Sequence, residues 1–156
     1  MKGLYEMRIL FVCTGNTCRS PMAQAMFQKM LDDEGAEDVF VSSAGTAVYE
    51  PDVASPKAVQ VMNERGLDIS GHKSRQIQDE DVQMSDYIVV MTENQYNLLI
   101  DLYPNYADKI YKLASFSGTD KDIYDPFGKG IEEYRRCAEQ IHTYLEKMYE
   151  KIISDR

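Results

Sequence analysis

The chain has 156 residues, of which 44% are hydrophobic, and it carries a net charge of −9 at pH 7. This length suits one domain with a buried core, and residues 1–156 are predicted to form that single domain. The acidic charge argues against nucleic acid or an anionic membrane as a partner, because both require a basic surface. A local phosphate site is not excluded, since a few N–H groups and one arginine can dominate the field there.

The N-terminal residues show no signal-peptide pattern, and no stretch is apolar over the length needed to cross a membrane. Residues 1–7 are predicted to be a short leader before the first strand. The three cysteines are an odd number, and their spacing is not typical of a secreted disulfide framework. We therefore expect a cytoplasmic protein with reduced thiols.

Short apolar runs alternate with helical periodicities along the chain. The predicted strands are apolar runs of the kind buried on both faces, at residues 8–13, 39–43, 86–91 and 109–113. The predicted helices are an amphipathic segment beginning near Pro21 and segments at residues 55–66, 92–103 and 131–152. This order predicts an α/β fold with a four-stranded parallel sheet and helices on both faces. Because ligands bind beyond the carboxyl ends of such strands, chemistry is expected in the loop after the first strand.

That loop reads Cys-Thr-Gly-Asn-Thr-Cys-Arg-Ser over residues 13–20. A short loop that enters a helix directs successive N–H groups inward, and the helix dipole adds positive charge. Gly15 and Asn16 are residue types that tolerate the positive φ of a tight turn. Arg19 can hold two phosphoryl oxygens at once. The pattern predicts a phosphate-binding loop that consists of Thr14, Gly15, Asn16, Thr17, Cys18 and Ser20, together with Cys13 and Arg19.

Cys13 is the predicted nucleophile of this loop. The positive surroundings favour its thiolate, and Ser20 can donate a hydrogen bond to the sulfur. Attack on phosphorus would give a phosphocysteine intermediate, which water then hydrolyses. The alternative is a buried strand-end cysteine followed by a surface arginine. The strand before the loop, the helix after it and the glycine, asparagine and serine within it favour catalysis.

The leaving group needs a general acid, which can then serve as the base for the hydrolytic water. Asp125 is the best candidate, because Pro126 and Gly128 fix a turn in the irregular segment before the last helix. An Asp-Pro pair alone is usually only a turn, so this assignment depends on the first motif.

Four segments, in this order, resemble the low-molecular-weight protein tyrosine phosphatase family: residues 12–23, 43–46, 72–77 and 125–128. The resemblance spans nearly the whole chain and implies a flavodoxin-like three-layer fold without a metal or another cofactor. It implies Cys13 as the nucleophile, Arg19 as the clamp on the transition state and Asp125 as the acid and base. It also implies a network that holds the loop in shape, formed by Asn16, Ser20, Ser43 and His72. For His72, a solvated loop imidazole is the alternative.

Thr17 is the residue that bears on the substrate. Within this family the loop resembles that of bacterial protein arginine phosphatases at every position, whereas tyrosine phosphatases commonly carry a bulky aliphatic residue at Thr17. A hydroxyl there can help to position a water molecule or a guanidinium group. After the Asp-Pro pair the chain has Phe127 and Gly128, where tyrosine phosphatases often carry two adjacent tyrosines. Residues 72–77, in contrast, look closer to tyrosine-type members. We expect phosphoarginine as the substrate, with phosphotyrosine as the alternative.

The predicted substrate pocket consists of Thr17, Val48, Tyr49 and Phe127, although Val48 and Tyr49 could equally be loop packing. The resemblance also suggests that Cys18 forms a reversible disulfide with Cys13 under oxidation; a buried thiol at the helix start is the alternative. The expected partners are phosphorylated proteins, with phosphate or another oxyanion in the loop, and we expect a monomer.

Two other functions are compatible with a loop of this kind. Thioredoxin-coupled arsenate reductases need two further cysteines on a mobile segment, but no cysteine lies between Cys18 and Cys137. Cys137 lies beside the apolar stripe of the last helix and is predicted to be a small buried residue. A module that only captures phosphorylated proteins is the second alternative, but no part needed for catalysis is missing. His72 and His142 do not form a metal site at this separation, and His142 is predicted to be a surface residue.

Overall fold

The first strand lies at the centre of the sheet and carries a continuous apolar run. This run forms β1 (Met7–Cys13), whose last five residues are all buried in the computed structural model, which describes residues 6–154. β2 (Val39–Gly45) and β3 (Tyr87–Val90) pair with β1 on either side, and β4 (Ile110–Lys112) pairs with β3. All pairs are parallel, and the strand order is β2-β1-β3-β4. The predicted four-stranded parallel sheet is confirmed.

The strand ends differ from the predictions by one or two residues. β1 starts at Met7, so the predicted leader ends one residue earlier, and its residues 1–5 lie outside the described part of the chain. β2 continues two residues further than predicted, to Gly45. β3 and β4 are each one residue shorter at both ends. Strand ends depend on the pairing partner, which no single segment of sequence contains.

Between residues 6 and 154, five α-helices connect and follow the strands: α1 (Arg19–Glu34), α2 (Pro56–Glu64), α3 (Asp79–Met84), α4 (Glu93–Leu102) and α5 (Ile131–Tyr149). Short helical turns of other types occupy Pro104–Lys109, Leu113–Ser117 and Glu150–Ser154. Ser55 and Thr92 accept the N-terminal hydrogen bonds of α2 and α4 at the predicted starts. α3 was not predicted, because six residues with one buried side chain give no clear periodicity.

The two faces of the sheet are covered by different helices. Ile9 and Phe11 of β1 pack with α1, α2 and α5, whereas Leu10 and Val12 pack with α3 and α4 on the opposite face. The chain leaves β1 toward β2 on one side and later returns to β3 on the other, so the strand order reverses at β1. The loop after β1 therefore lies at the switch point where ligands bind in such sheets. Within residues 6–154, no helix has both the length and the apolarity that a membrane crossing requires.

Candidate active site

The loop between β1 and α1 lines a cavity of about 230 Å³. The remaining walls come from Asp125 and Phe127, which lie more than 100 residues further along the chain. The complete lining is Cys13, Thr14, Gly15, Asn16, Thr17, Cys18, Arg19, Asp125 and Phe127. The fold thus brings the predicted nucleophile, arginine and acid to one small cavity, which is open at the carboxyl end of β1.

The tight turn of the loop depends on Asn16. Its φ of 56° is the only positive φ of a non-glycine residue between residues 6 and 154. Gly15 has no positive φ, and a Cβ there would meet only Thr17 Oγ1, at 3.7 Å. Both residue types tolerate a positive φ, and of the two only Asn16 adopts it. Asparagine tolerates this conformation when its side chain is held by hydrogen bonds.

Asn16 is fully buried and is held from three sides. Its Nδ2 donates to Ser20 Oγ at 2.7 Å and to Ser43 Oγ at 3.0 Å. Its Oδ1 accepts from the backbone N–H of Arg75 at 3.1 Å, and its carbonyl oxygen lies 2.8 Å from His72 Nε2. The structure therefore brings together Asn16, Ser20, Ser43 and His72, the residues that were predicted to hold the loop.

The direction of each hydrogen bond follows from what the groups can donate. A carbonyl oxygen only accepts, so His72 carries a proton on Nε2 and donates it to Asn16. Burial lowers the pKa of His72 and outweighs the bond to Asn16, which raises it. Because Ser20 Oγ accepts from Asn16, its own proton is free for Cys13 Sγ, which lies 2.9 Å away. Ser20 can therefore donate a hydrogen bond to the sulfur of Cys13.

Gly45, at the end of β2, was missed as a site residue. A Cβ there would lie 2.6 Å from the carbonyl oxygen of Thr14 and 2.6 Å from Val48 Cγ2. Only glycine leaves room for the loop to pass this close to β2. Residues 43–46 belong to the segments that resemble the family, and this was the only signal in the sequence.

Gln95 was missed as well. Its Oε1 accepts from the N–H groups of Met91 and Thr92 at 2.9 and 3.1 Å, and its Nε2 donates to Thr14 Oγ1 at 3.1 Å. One buried amide thereby joins the end of β3 to the phosphate loop. The sequence offered only the spacing of a helix capping box between Thr92 and Gln95.

Tyr134 of α5 lies behind the second half of the loop. Its hydroxyl oxygen is 3.6 Å from Cys18 Sγ and accepts from Ser55 Oγ at 3.3 Å. Ser55 in turn donates its backbone N–H to the carbonyl oxygen of Thr17 at 2.9 Å. Burial and the contact with Cys18 raise the pKa of Tyr134 to about 12, so the hydroxyl stays protonated. The sequence placed Tyr134 in an apolar stripe and gave no sign of this role.

Arg19 is buried, with 6% of its surface exposed, and it faces the cavity rather than solvent. Its Nη1 donates to the carbonyl oxygen of Ile123 at 3.2 Å, and its Nη2 lies 3.5 Å from Asp125 Oδ2. Asp125 is more than half exposed, and its Oδ1 accepts from the N–H of Phe127 at 3.1 Å. A buried cation thus lies beside an acid that solvent can reach.

The other predicted residues lie away from this cavity. Val48 and Tyr49 are not among its lining residues, and Tyr49 is 94% exposed, so their role as a pocket wall stays a prediction. Cys137 is fully buried, and this burial raises the pKa of its thiol to about 12. His142 is partly exposed and pairs with Glu146 at 3.5 Å. Within residues 6–154 no group of three or more His, Cys, Asp or Glu side chains could hold a metal ion.

Comparison with known proteins agrees with this geometry. The family model for low molecular weight phosphotyrosine protein phosphatases matches residues 8–156. The chain belongs to this family. The protein-arginine-phosphatase of Geobacillus stearothermophilus is 39% identical over 150 residues, which cover 96% of this chain and 98% of that protein. The prediction of a protein phosphatase of the low-molecular-weight family is confirmed.

Solved structures include relatives of both substrate types. The low molecular weight protein tyrosine phosphatase of T. tengcongensis has a TM-score of 0.90 and 40% identity, covering 94% of this chain and 100% of that one. A YwlE arginine phosphatase has a TM-score of 0.90 and 33% identity, covering 96% and 98%. In that YwlE variant a serine replaces cysteine, and the active-site serine is phosphorylated.

Proposed function

We propose that this phosphatase hydrolyses phosphoarginine in proteins through a phosphocysteine intermediate. The observation that carries the proposal is the cavity in which Cys13, Arg19 and Asp125 meet, with Thr17 in its wall. A phosphoryl group in the loop would have the sulfur behind phosphorus and the acid on the side of the leaving group.

The first step transfers the phosphoryl group to Cys13. The thiolate forms a bond to phosphorus while the bond from phosphorus to the guanidino nitrogen breaks. Asp125 gives its proton to that nitrogen, and the arginine side chain leaves as the guanidinium cation. Arg19 and the N–H groups of the loop hold the oxygens as charge develops on them. The phosphorylated serine in the YwlE variant supports a covalent intermediate at this position.

The second step releases phosphate. Asp125, now a carboxylate, takes a proton from a water molecule, whose oxygen forms a bond to phosphorus as the bond to sulfur breaks. The products are inorganic phosphate and the Cys13 thiolate. The bond from Ser20 Oγ, at 2.9 Å, stabilises this thiolate as the leaving group.

Thr17 and Phe127 support phosphoarginine as the substrate. The hydroxyl of Thr17 has only a long contact of 3.9 Å to Cys18 Sγ within the site, so it can bind a polar group in the cavity. Phe127 is 70% exposed at the mouth, and a guanidinium can stack on its face. The similarity to arginine phosphatases points the same way. Phosphotyrosine is the second candidate, because the tyrosine phosphatase of T. tengcongensis is equally similar in fold.

The substrate assignment is tested with matched peptides that carry phosphoarginine or phosphotyrosine. We expect wild type to show the higher kcat/KM on phosphoarginine, and Thr17→Ile to lower that preference by about 10-fold or more. Thr143→Ile, an exposed position on α5, is the matched control and should keep the wild-type ratio. A wild type that prefers phosphotyrosine contradicts the substrate assignment and leaves the two-step mechanism in place.

We also propose that the enzyme acts as a monomer in the cytoplasm, where Cys13 remains a reduced thiol. The phosphate loop would hold free phosphate or another oxyanion as a product or inhibitor. A reversible disulfide between Cys13 and Cys18 stays a prediction. Peptide mapping after mild peroxide treatment tests it, and the absence of this linkage would refute it.

A further inference from the structure

Asp125 lies on an irregular segment between the helical turn Leu113–Ser117 and α5, here called the acid segment, residues 118–130. This segment forms no strand and no helix, so its position depends on individual contacts. The carboxyl group of Asp125 is more than half exposed, accepts from the backbone N–H of Phe127 and lies 3.5 Å from Arg19 Nη2. Contacts to the backbone around Asp125 therefore add to these two in fixing its position.

Lys112, the last residue of β4, makes three hydrogen bonds through its ammonium group, two of them to the acid segment. Its side chain is only 8% exposed. Its Nζ donates to the carbonyl oxygen of Asp120 at 2.5 Å, to Asp122 Oδ1 at 2.9 Å and to Glu93 Oε2 at 3.1 Å. An ammonium group has three N–H donors, and here each has one acceptor. Two of the three acceptors lie on the acid segment.

The residues that follow Asp122 connect this anchor to the catalytic arginine. Asp122 Oδ1 also accepts from the N–H of Glu93 at 2.9 Å, at the start of α4. The next residue, Ile123, donates its N–H to the carbonyl oxygen of Met91 at 2.9 Å and accepts from Arg19 Nη1 at 3.2 Å. Asp125 follows two residues later, beside Arg19 Nη2.

We propose that Lys112 is a positioning residue for the general acid: it holds Asp120 and Asp122 against the ends of β3 and β4 and so places Asp125 over the phosphate loop. The inference rests on the proposed function, in which Asp125 protonates the leaving group. Lys112 does not line the cavity, so it acts only through the acid segment.

Lys112 remains a cation throughout the working pH range. Its burial lowers its pKa, but the hydrogen bonds to Asp122 and Glu93 outweigh this effect and raise the pKa above its usual value. The hydrogen bond from Lys112 also lowers the pKa of Asp122. Both acidic partners are more than half exposed, so water can solvate them when the lysine is removed. Lys112→Met therefore leaves no buried unpaired charge and is expected to fold.

The test is the dependence of kcat/KM on the leaving group. p-Nitrophenyl phosphate has a leaving group that departs with little protonation, whereas phenyl phosphate needs the acid. For Lys112→Met we expect kcat/KM to fall about 10²-fold on phenyl phosphate but only about 10-fold on p-nitrophenyl phosphate, because the acid is displaced. The ratio of kcat/KM on p-nitrophenyl phosphate to that on phenyl phosphate should therefore rise about 10-fold. Asp125→Asn, which removes the acid, should show the largest difference between the two substrates. Lys112→Arg, which keeps the charge, should retain a ratio close to that of wild type.

Lys109→Met is the matched control. Lys109 lies just before β4, and its Nζ donates to the carbonyl oxygens of Val82 and Gln83 in α3 at 2.9 and 3.0 Å. It anchors a different segment, so its removal should lower kcat/KM equally on both substrates or not at all. Asp122→Asn is a second variant if Lys112→Met is unstable. The asparagine oxygen can still accept from the backbone N–H of Glu93. We expect Asp122→Asn to shift the ratio of kcat/KM between the two substrates in the same direction as Lys112→Met, by a smaller factor.

The outcomes separate this inference from the proposed function. If Asp125→Asn shows the leaving-group effect while Lys112→Met and Asp122→Asn lower kcat/KM equally on both substrates, the positioning role is overturned and the mechanism stands. If Asp125→Asn itself shows no leaving-group effect, Asp125 is not the acid, and both the proposed mechanism and the inference fail.

Discussion

The phosphate loop and the acid segment meet at one cavity but are held in different ways. Within the loop, Cys13, Asn16 and Ser20 are each at most 2% exposed, and the loop is braced by side chains from β2, α4 and the segment around His72. In the acid segment, Tyr124, Asp125 and Phe127 are all exposed. It is fixed mainly by bonds to its backbone.

Side chains of α5 also bind the backbone of the acid segment. Gln140 accepts from the N–H of Tyr124 and donates to the carbonyl oxygen of Asp122, both at 3.2 Å. Cys137 Sγ donates to the carbonyl oxygen of Tyr124 at 3.3 Å. Backbone contacts of this kind hold a segment without restricting its side chains. Few buried side chains also mean a lower free energy of local opening.

This difference separates two tasks of the enzyme. In the proposed mechanism the buried loop binds a phosphoryl group and stabilises the Cys13 thiolate. Both tasks are the same whichever residue of the substrate carries the phosphate. In the same mechanism the exposed segment faces the leaving group, which differs between phosphoarginine and phosphotyrosine. Substrate preference is therefore expected to depend on the rim, at Thr17 and Phe127, and not on the buried network around Asn16.

The largest effect is expected from the loop nucleophile. Cys13→Ser should lower turnover about 10⁴-fold or more, because a serine hydroxyl is not ionised at neutral pH. The variant should still bind inorganic phosphate, since Arg19 and the N–H groups remain. Turnover is measured on phosphopeptides and phosphate binding by calorimetry. Cys137→Ser is the matched control, and we expect it to keep most of the activity. Equal losses in both variants would contradict the assignment of Cys13.

A smaller but still large effect is expected from Gly45→Ala, which tests the bracing of the loop. The new Cβ would lie 2.6 Å from the carbonyl oxygen of Thr14, so the loop must shift. We expect a loss of about 1–3 kcal/mol in the free energy of unfolding from overpacking. A shift of the loop should also lower kcat/KM about 10²-fold. Gly71→Ala is the control, because no atom lies within 4 Å of its added Cβ. If Gly45→Ala has wild-type kinetics, the loop is less constrained than the geometry indicates.

The sequence predicted what is local. Cys13, Arg19 and the turn between them lie within eight residues, and the stripe of α5 repeats over five turns, so both could be recognised from spacing alone. Asn16 and Gly15 show the limit of this approach. Both residue types tolerate a positive φ, but only Asn16 adopts it. Asn16 is held by hydrogen bonds to residues distant in sequence, Ser43, His72 and Arg75, which the local pattern does not contain.

The missed residues act across the sheet. Gly45, Gln95 and Lys112 come from the ends of three different strands or from the helix that follows, and each contacts a segment distant in sequence. Their residue types are also ordinary at a strand end or a helix cap, so nothing in the local pattern distinguishes them. The order β2-β1-β3-β4 is what brings them to the loop and to the acid segment. That order is a property of the whole chain.

The smallest effect, a pH dependence of stability, is expected from His72. Burial lowers its pKa in the native state, while in the unfolded chain the value is close to 6.5. As the pH falls below that value, the unfolded state takes up the proton first, so native stability decreases until the native pKa is reached. The stability that His72 adds is therefore present above about pH 6.5 and declines below it.

Urea unfolding of wild type and His72→Gln between pH 7.5 and 5.5 measures this pH dependence of stability, with His142→Gln as the matched histidine control. The two curves should converge as the pH falls. Curves that stay parallel would mean that His72 is not held as a neutral donor to Asn16, and the network on the loop would then lack its pH-sensitive member.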